Sequence, residues 1–291
     1  MDALTPLIKG LNLHAKLVYS GGVCGHWLMD HNSETSVWFH LVSKGQGFVY
    51  SPRWRFPLAL NTGDLILFLP HADRHFLSYS PEHLPDNAQD THLTSWLEGE
   101  AAFVCGEIEL AAPKSALWQA LPAEVVIRQN QAGSILPRLI ELIIGETSAQ
   151  RFGCESVVER LCDGIFVLVI RHCIEEGLVQ EGVFAAMRDK RLATALSLIH
   201  QQPWHAWTLN KLCTRAGISK SVLSEKFSAL IGHSPIEYLT IWRLQIAAHW
   251  LMEPDMSVEH VAERSGYESV PAFSKAFKRH FGVAPGSFRR G

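Results

Sequence analysis

No apolar run in this chain reaches the ~18 residues that a membrane-spanning helix needs, so no membrane partner is expected. The opening stretch MDALTPLIKGLNLHAKL does not pair a basic start with an apolar block and a small-residue cleavage site. The lack of a secretion signal predicts a cytoplasmic protein. Cysteines are few and scattered: Cys24, Cys105, Cys154, Cys162, Cys173 and Cys213 form no CxxC pair. That spacing excludes a disulfide scaffold and a zinc ribbon, and predicts that most of the thiols are small buried hydrophobes. Charge is also sparse, at 19% of residues against 47% hydrophobic, which excludes a disordered chain.

The charge that is present lies unevenly. Residues 1–189 carry 13 Lys+Arg and 22 Asp+Glu, a balance of −9. Residues 190–291 carry 13 Lys+Arg and 7 Asp+Glu, a balance of +6. A basic part behind an acidic one is the electrostatic footprint of a polyanion binder, or a chance grouping of solvated charges. Charge alone does not choose between them.

Periodicity separates the chain further. Residues 17–110 read as short strands between turns: VWFHLVSKGQGFVY, LALNTGDLILFLP and AAFVCGEIEL. Strands at this spacing predict a β-sandwich or small barrel. From about Gly133 the period becomes helical. Ile135, Leu139, Leu142 and Ile143 form one apolar stripe, and Val158, Leu161, Ile165, Leu168 and Val169 another. These helices either pack on the strand domain or form a dimer seam. A hinge is expected over 177–190.

Two later stretches share one pattern, TLNKLCTRAGISKSVLSEKFSALIGHSP (208–235) and SVEHVAERSGYESVPAFSKAFKRHFGVAP (257–285). Each has an N-cap (Thr208, Ser257), a short helix, a turn glycine (Gly217, Gly266) and a second N-cap (Ser219, Ser269). A second helix follows, with apolar residues at matching offsets: Leu223 and Phe227, Phe273 and Phe277. This is the recipe that sets a recognition helix in the major groove. One copy is a weak signal. Two copies in register outweigh an ordinary helical bundle. Between them, PIEYLTIWRLQIAAHWL (235–251) predicts one amphipathic helix of ~25 Å, long enough to hold two recognition helices about one DNA turn apart.

Pro235, Tyr238, Leu239, Arg243, Leu244 and Ala247, followed by GYESVPAFSKAFKRHFGVAPGSFR at 266–289, resemble the AraC/XylS family of bacterial transcription regulators. The resemblance implies two helix-turn-helix units, promoter DNA and RNA polymerase as partners, and usually activation. Base-reading residues belong on the outward, N-terminal face of each second helix. They are Lys220, Ser221, Ser224 and Glu225 in the first unit, and Val270, Pro271, Ser274 and Lys275 in the second. Lys278 and Arg279 suit phosphates. Glu225 departs from the family pattern, where Arg is common. It either reads a C·G pair or pairs with Lys226 or Arg215.

The strand-rich front resembles the cupin-like sensor domains of some AraC-type regulators. GDLILFLPHADRH matches the second cupin motif, with Gly63 to Pro70 one residue long and His75 five residues after the proline. The first motif is poor, because His40 in WFHLVSKG lacks the paired histidine and glutamate. No enzyme is therefore expected. Cys24, His40, His75 and Cys105 are the residue types a soft tetrahedral site such as zinc takes, and His26 and His71 lie nearby in sequence. Buried thiols and hydrogen-bonded histidines explain the same four residues. The opening MDALTPLIKGLNL, with Cys24 in GGVCGHW and Cys105 in FVCGEIEL, is similar to the sensor half of the redox-responsive, reactive-chlorine-sensing members. That likeness implies an oxidant-sensing role for Cys24 and Cys105, by a disulfide or by metal release.

The expected architecture is α+β in two domains. A cupin-like β-barrel with helices occupies 1–130, a helical dimerisation or linker region 131–185, and an all-α tandem helix-turn-helix 186–291. The expected function is a sequence-specific transcriptional regulator under oxidant or metal control, with a homodimer as one assembly. A small organic effector in the barrel, a cupin metal enzyme fused to a DNA-binding domain, and an inert scaffold are the alternatives.

Overall fold

The structure is a computed structural model. It describes residues 2–11, 13–23, 28–31, 34–78, 81, 93–94, 101–110, 113, 115–130, 135–253 and 255–289. The chain forms two compact units. One is Leu13–Glu176; the other joins Met1–Asn12 to Gly177–Gly291.

The first helix in the chain is α1 (Leu4–Leu11), which belongs to the second of these units. The strand unit then runs β1 (Ala15–Val23), β2 (Leu28–His31), β3 (Ser36–Lys44), β4 (Gln46–Tyr50), β5 (Leu58–Asn61), β6 (Leu65–Phe68), β7 (His75–Ser78), β8 (Leu93–Thr94) and β9 (Ala101–Glu109). It closes with α2 (Ala116–Gln119), β10 (Glu124–Ile127), α3 (Leu136–Ala149) and α4 (Cys154–Glu175). Of the two expected closures, β-sandwich or small barrel, the strands form the sandwich. A sheet ordered β10-β6-β3-β9-β1-β8 faces one ordered β2-β7-β4-β5, and among the described residues every strand pairing within each sheet is antiparallel. Val42, Ile66, Phe103 and Cys105 of the larger sheet meet Val49, Leu60 and Leu77 of the smaller one to make the core.

The central strand β3 is buried on both faces. One face looks into the sandwich. On the other, Phe39, Leu41, Leu65, Leu67 and Ile108 meet Ile143, Cys162, Ile165 and Phe166 of α3 and α4. This explains why VWFHLV lacks clean alternation, since a strand covered on both sides reads as a continuous apolar run. Asp64 fastens the β5–β6 turn. Its carboxylate accepts from Arg128 Nη1 at 2.6 Å, from the Asn61 amide at 3.0 Å and from the Gln129 amide at 3.1 Å. The turn needs Gly63, whose φ of 86° puts it in the left-handed region.

The helical unit continues with α5 (Gly182–Ala186), α6 (Lys190–Gln201), α7 (Leu209–Ala216), α8 (Lys220–Ile231), α9 (Pro235–Met252), α10 (Val258–Arg264), α11 (Val270–Phe281) and α12 (Pro285–Phe288). The helix-turn-helix pairs are α7–α8 and α10–α11. Thr208, Ser219, Ser257 and Ser269 each accept a backbone N–H as N-caps, and Gly217 and Gly266 take positive φ in the turns. Ser234 and Glu237 add a reciprocal capping box at the start of α9.

The sequence pattern suggested a single apolar stripe on α9, but the helix is buried nearly all round. Tyr238, Leu239, Trp242, Leu244, Ile246, Ala247, Ala248 and Leu251 all lie inside. Its N-terminal half packs on α8, where the Tyr238 ring meets Phe227 at 5.6 Å. Its C-terminal half packs on α11, with Leu244, Ala247, Ala248 and Leu251 against Phe273 and Phe277. A helix that serves as the spine for both motifs needs apolar residues on more than one face, and this blurs its amphipathic pattern.

Candidate nucleic-acid interface and sensor core

On the second helix of each pair, the residues expected to read bases are exposed or half-buried, and the expected core residues are buried. On α8, Lys220, Ser221 and Glu225 are exposed and Ser224 is half-buried, while Leu223 and Phe227 are fully buried. On α11, Pro271 and Lys275 are exposed, Val270 and Ser274 are half-buried, and Phe273 and Phe277 are fully buried. Pro271 sits in the first turn of α11, where its missing N–H costs nothing. Lys278 and Arg279 are exposed in the last turn, beside His280. Burial holds the His280 pKa below its ordinary value, and His233 adds to that.

Lys226 is committed elsewhere. Its Nζ lies 2.6 Å from Asp189 Oδ2, and Asp189 also caps α6. The bond to Lys226 holds the Asp189 carboxyl below its usual range. This removes Lys226 as the natural partner for Glu225. Local pattern carries no trace of the contact, because Asp189 lies 37 residues away.

In the strand unit, His40 of β3 and His75 of β7 meet in the sandwich core. Their Nε2 atoms are 2.8 Å apart, and both side chains are buried. The ring of Phe68 stacks on His75. Cys105 of β9 stands directly across from His40 in the β3–β9 ladder, so the two side chains share a face. Three of the four residues singled out as soft ligands are thus brought to one region. Cys24, together with His26, lies outside the described residues. Among the described residues, no group of three or more His, Cys, Asp and Glu side chains is arranged to hold a metal ion.

Cys105 is fully enclosed, and burial pushes its thiol well above the usual range, so it is held protonated. The nearby Tyr19 phenol is pushed up to about 12, first by burial and then by Cys105. His71 lies outside this cluster. Its Nε2 is 3.1 Å from the Leu121 carbonyl, which can only accept, so Nε2 carries the proton. Burial lowers the pKa of its ring. Among the described residues, no helix is long and apolar enough to cross a membrane.

Comparison with known proteins agrees with both halves. A cupin family matches residues 2–175, and a helix-turn-helix domain family matches 212–291. An uncharacterized HTH-type transcriptional regulator of Haemophilus influenzae is 29% identical over 91% of this chain and 91% of its own. The RCS-specific HTH-type transcriptional activator RclR of Escherichia coli is 27% identical over 99% of this chain and 97% of its own. Among solved structures, ToxT from Vibrio cholerae covers 96% of this chain and 98% of its own, at 12% identity and a TM-score of 0.41. With a cupin match over more than half its length and paired helix-turn-helix motifs behind it, the chain belongs to the AraC-type transcription regulators that carry a cupin domain.

Proposed function

We propose that this regulator activates transcription by binding promoter DNA through α8 and α11, under the control of a signal received at His40, His75 and Cys105. The observation that carries the second part is the 2.8 Å approach of two histidine Nε2 atoms in a closed core, with a cysteine across the ladder from one of them. Histidine and cysteine together are what soft cations and thiol oxidants act on. The relative named as RCS-specific supports an oxidant as the signal. In such a step Cys105 and Cys24 would close a disulfide, losing two thiol protons and two electrons, and the oxidant takes the electrons. Because Cys105 is held as a buried thiol, its oxidation requires the core to open first. The two histidines favour a second reading, in which a soft metal ion such as zinc is the signal.

Lys220, Ser221, Ser224 and Glu225 then face one segment of DNA, and Val270, Pro271, Ser274 and Lys275 the next, with Lys278 and Arg279 on phosphates. RNA polymerase is the protein partner of an activator, and promoter binding implies work in the cytoplasm. Ile135 before α3, Leu142 on α3 and Val157 on α4 are exposed large apolar side chains, and we assign this helical region to contact with a second copy of the chain. The front domain is read as a sensor rather than an oxygenase, since the first cupin motif supplies only His40.

Elemental analysis of the purified protein, with a free-thiol count before and after hypochlorite, separates the two signals. Cys105→Ala and His40→Ala should abolish the promoter response and leave DNA binding intact. An unaltered response in both variants would overturn the assignment.

A further inference from the structure

The cupin match begins at residue 2, yet residues 2–11 pack with the DNA-binding unit. Leu7 of α1 is fully buried and Ala3 nearly so. The Ser197 hydroxyl on α6 donates to the Asp2 carbonyl at 3.2 Å. Gly10 lies so close to Trp242 of α9 that a Cβ there would fall 2.6 Å from the ring. A glycine in a helix is costly, and here it permits that close approach.

Beneath α1 sits His200, which is fully enclosed. Burial pulls its pKa down to about 4, so the ring is neutral and has one N–H. Nδ1 lies 3.3 Å from the Ala3 carbonyl, which can only accept. The proton is therefore on Nδ1, and Nε2 accepts from the Tyr238 hydroxyl at 2.7 Å. Tyr238 belongs to the first turn of α9, and its ring meets Phe227 of α8 edge-on. A continuous run of packed and hydrogen-bonded groups, Ala3–His200–Tyr238–Phe227, thus links α1 to the first recognition helix.

We infer that residues 2–11 are a working part of the DNA-reading unit, and that they position α8 through His200, Tyr238 and Phe227. Residues 12–14 join α1 to β1, so a change in the sandwich has a covalent route to α8 besides the connection at Gly177. His200 and Tyr238 are positioning residues and do not themselves face DNA. The inference rests on α8 reading bases, as proposed above.

The test uses the full chain and a promoter fragment, with binding titrations and footprints. Lys220→Ala and Lys275→Ala first mark which half-site each recognition helix covers. Leu7→Asp and Gly10→Leu should then weaken binding by about 10-fold, with protection lost over the α8 half-site and kept over the α11 half-site. Tyr238→Phe keeps the ring on Phe227 and removes only the hydroxyl, and should give a smaller loss of about 3-fold at the same half-site. Leu7→Met should restore the wild-type footprint. Should Leu7→Asp fail to fold, Gly10→Ala and Tyr238→Phe decide the matter. Wild-type affinity in these variants, or equal loss over both half-sites, overturns the inference. Normal binding by Lys220→Ala would instead overturn the assignment of α8, and the inference with it. A loss in Lys220→Ala with none in Gly10→Leu and Tyr238→Phe would overturn the inference alone.

Discussion

At 2.8 Å, the Nε2 atoms of His40 and His75 can share only one hydrogen, so a second proton at that point would set two N–H donors against each other. The two residues are 35 apart, and no spacing rule in the sequence foretold that they would touch. Their chemical types were legible, but their convergence depends on how β3 and β7, from different sheets, face each other. The recognition face was easier to read, because helical offsets fix which side chains share a side. Lys275 is exposed on that face of α11. Lys275→Ala should weaken promoter binding by about 1–3 kcal/mol if the residue reads a base edge. A mobility-shift titration with unchanged affinity would remove it from the interface. His200 makes a separate prediction. It stays neutral in the folded unit down to about pH 4, whereas an unfolded histidine takes its proton near 6.5. Between those values the unfolded chain binds more protons, so stability declines as pH falls from 6.5 toward 4, by up to ~3 kcal/mol. Urea unfolding at pH 7.5 and pH 5 should show a larger loss for the wild type than for His200→Gln.

Among the elements, the helix-turn-helix pairs were the most legible, since cap, turn glycine and core positions repeat at fixed offsets. Ser219 and Ser269 each satisfy a backbone N–H in the first turn of a recognition helix. Ser219→Ala and Ser269→Ala should each cost about 1 kcal/mol in thermal unfolding, and a combined loss near the sum is expected because they lie on separate helices. The pattern was less informative where tertiary packing decides. Alternation along the strands could not distinguish a barrel from a sandwich, because either closure buries the same residues. α9 carried apolar residues on several faces, and only the presence of α8 on one half and α11 on the other explains them. The Asp64 knot was likewise invisible, since Arg128 is 64 residues away. Asp64→Asn should cost about 2–4 kcal/mol, because it leaves the Arg128 guanidinium without its carboxylate. A melting temperature within a degree of wild type would contradict that.

For the whole molecule, the positive balance over residues 190–291 makes DNA binding depend on salt. Removing the Lys278 and Arg279 charges together should flatten the log affinity against log salt slope by about 2, with sequence preference retained. A slope equal to wild type would show that neither residue meets a phosphate. The division into a strand-rich front and a helical back was legible from periodicity alone. The place of α1 was not. It is only eight residues long, and its partners on α6 and α9 lie far along the chain, so local pattern carries no trace of them.

The strand unit is, in effect, spliced into the DNA-binding unit between residues 12 and 177. On the ribosome, α1 emerges before the sandwich and waits for a docking surface that is made only after it. A protein engineer who trims the chain at Gly177 to obtain a minimal DNA-binding fragment strips one wall from its core and bares Trp242 and Leu7's seat. Such a fragment should bind hydrophobic dyes and precipitate readily, and appending the first eleven residues through a flexible linker should cure it.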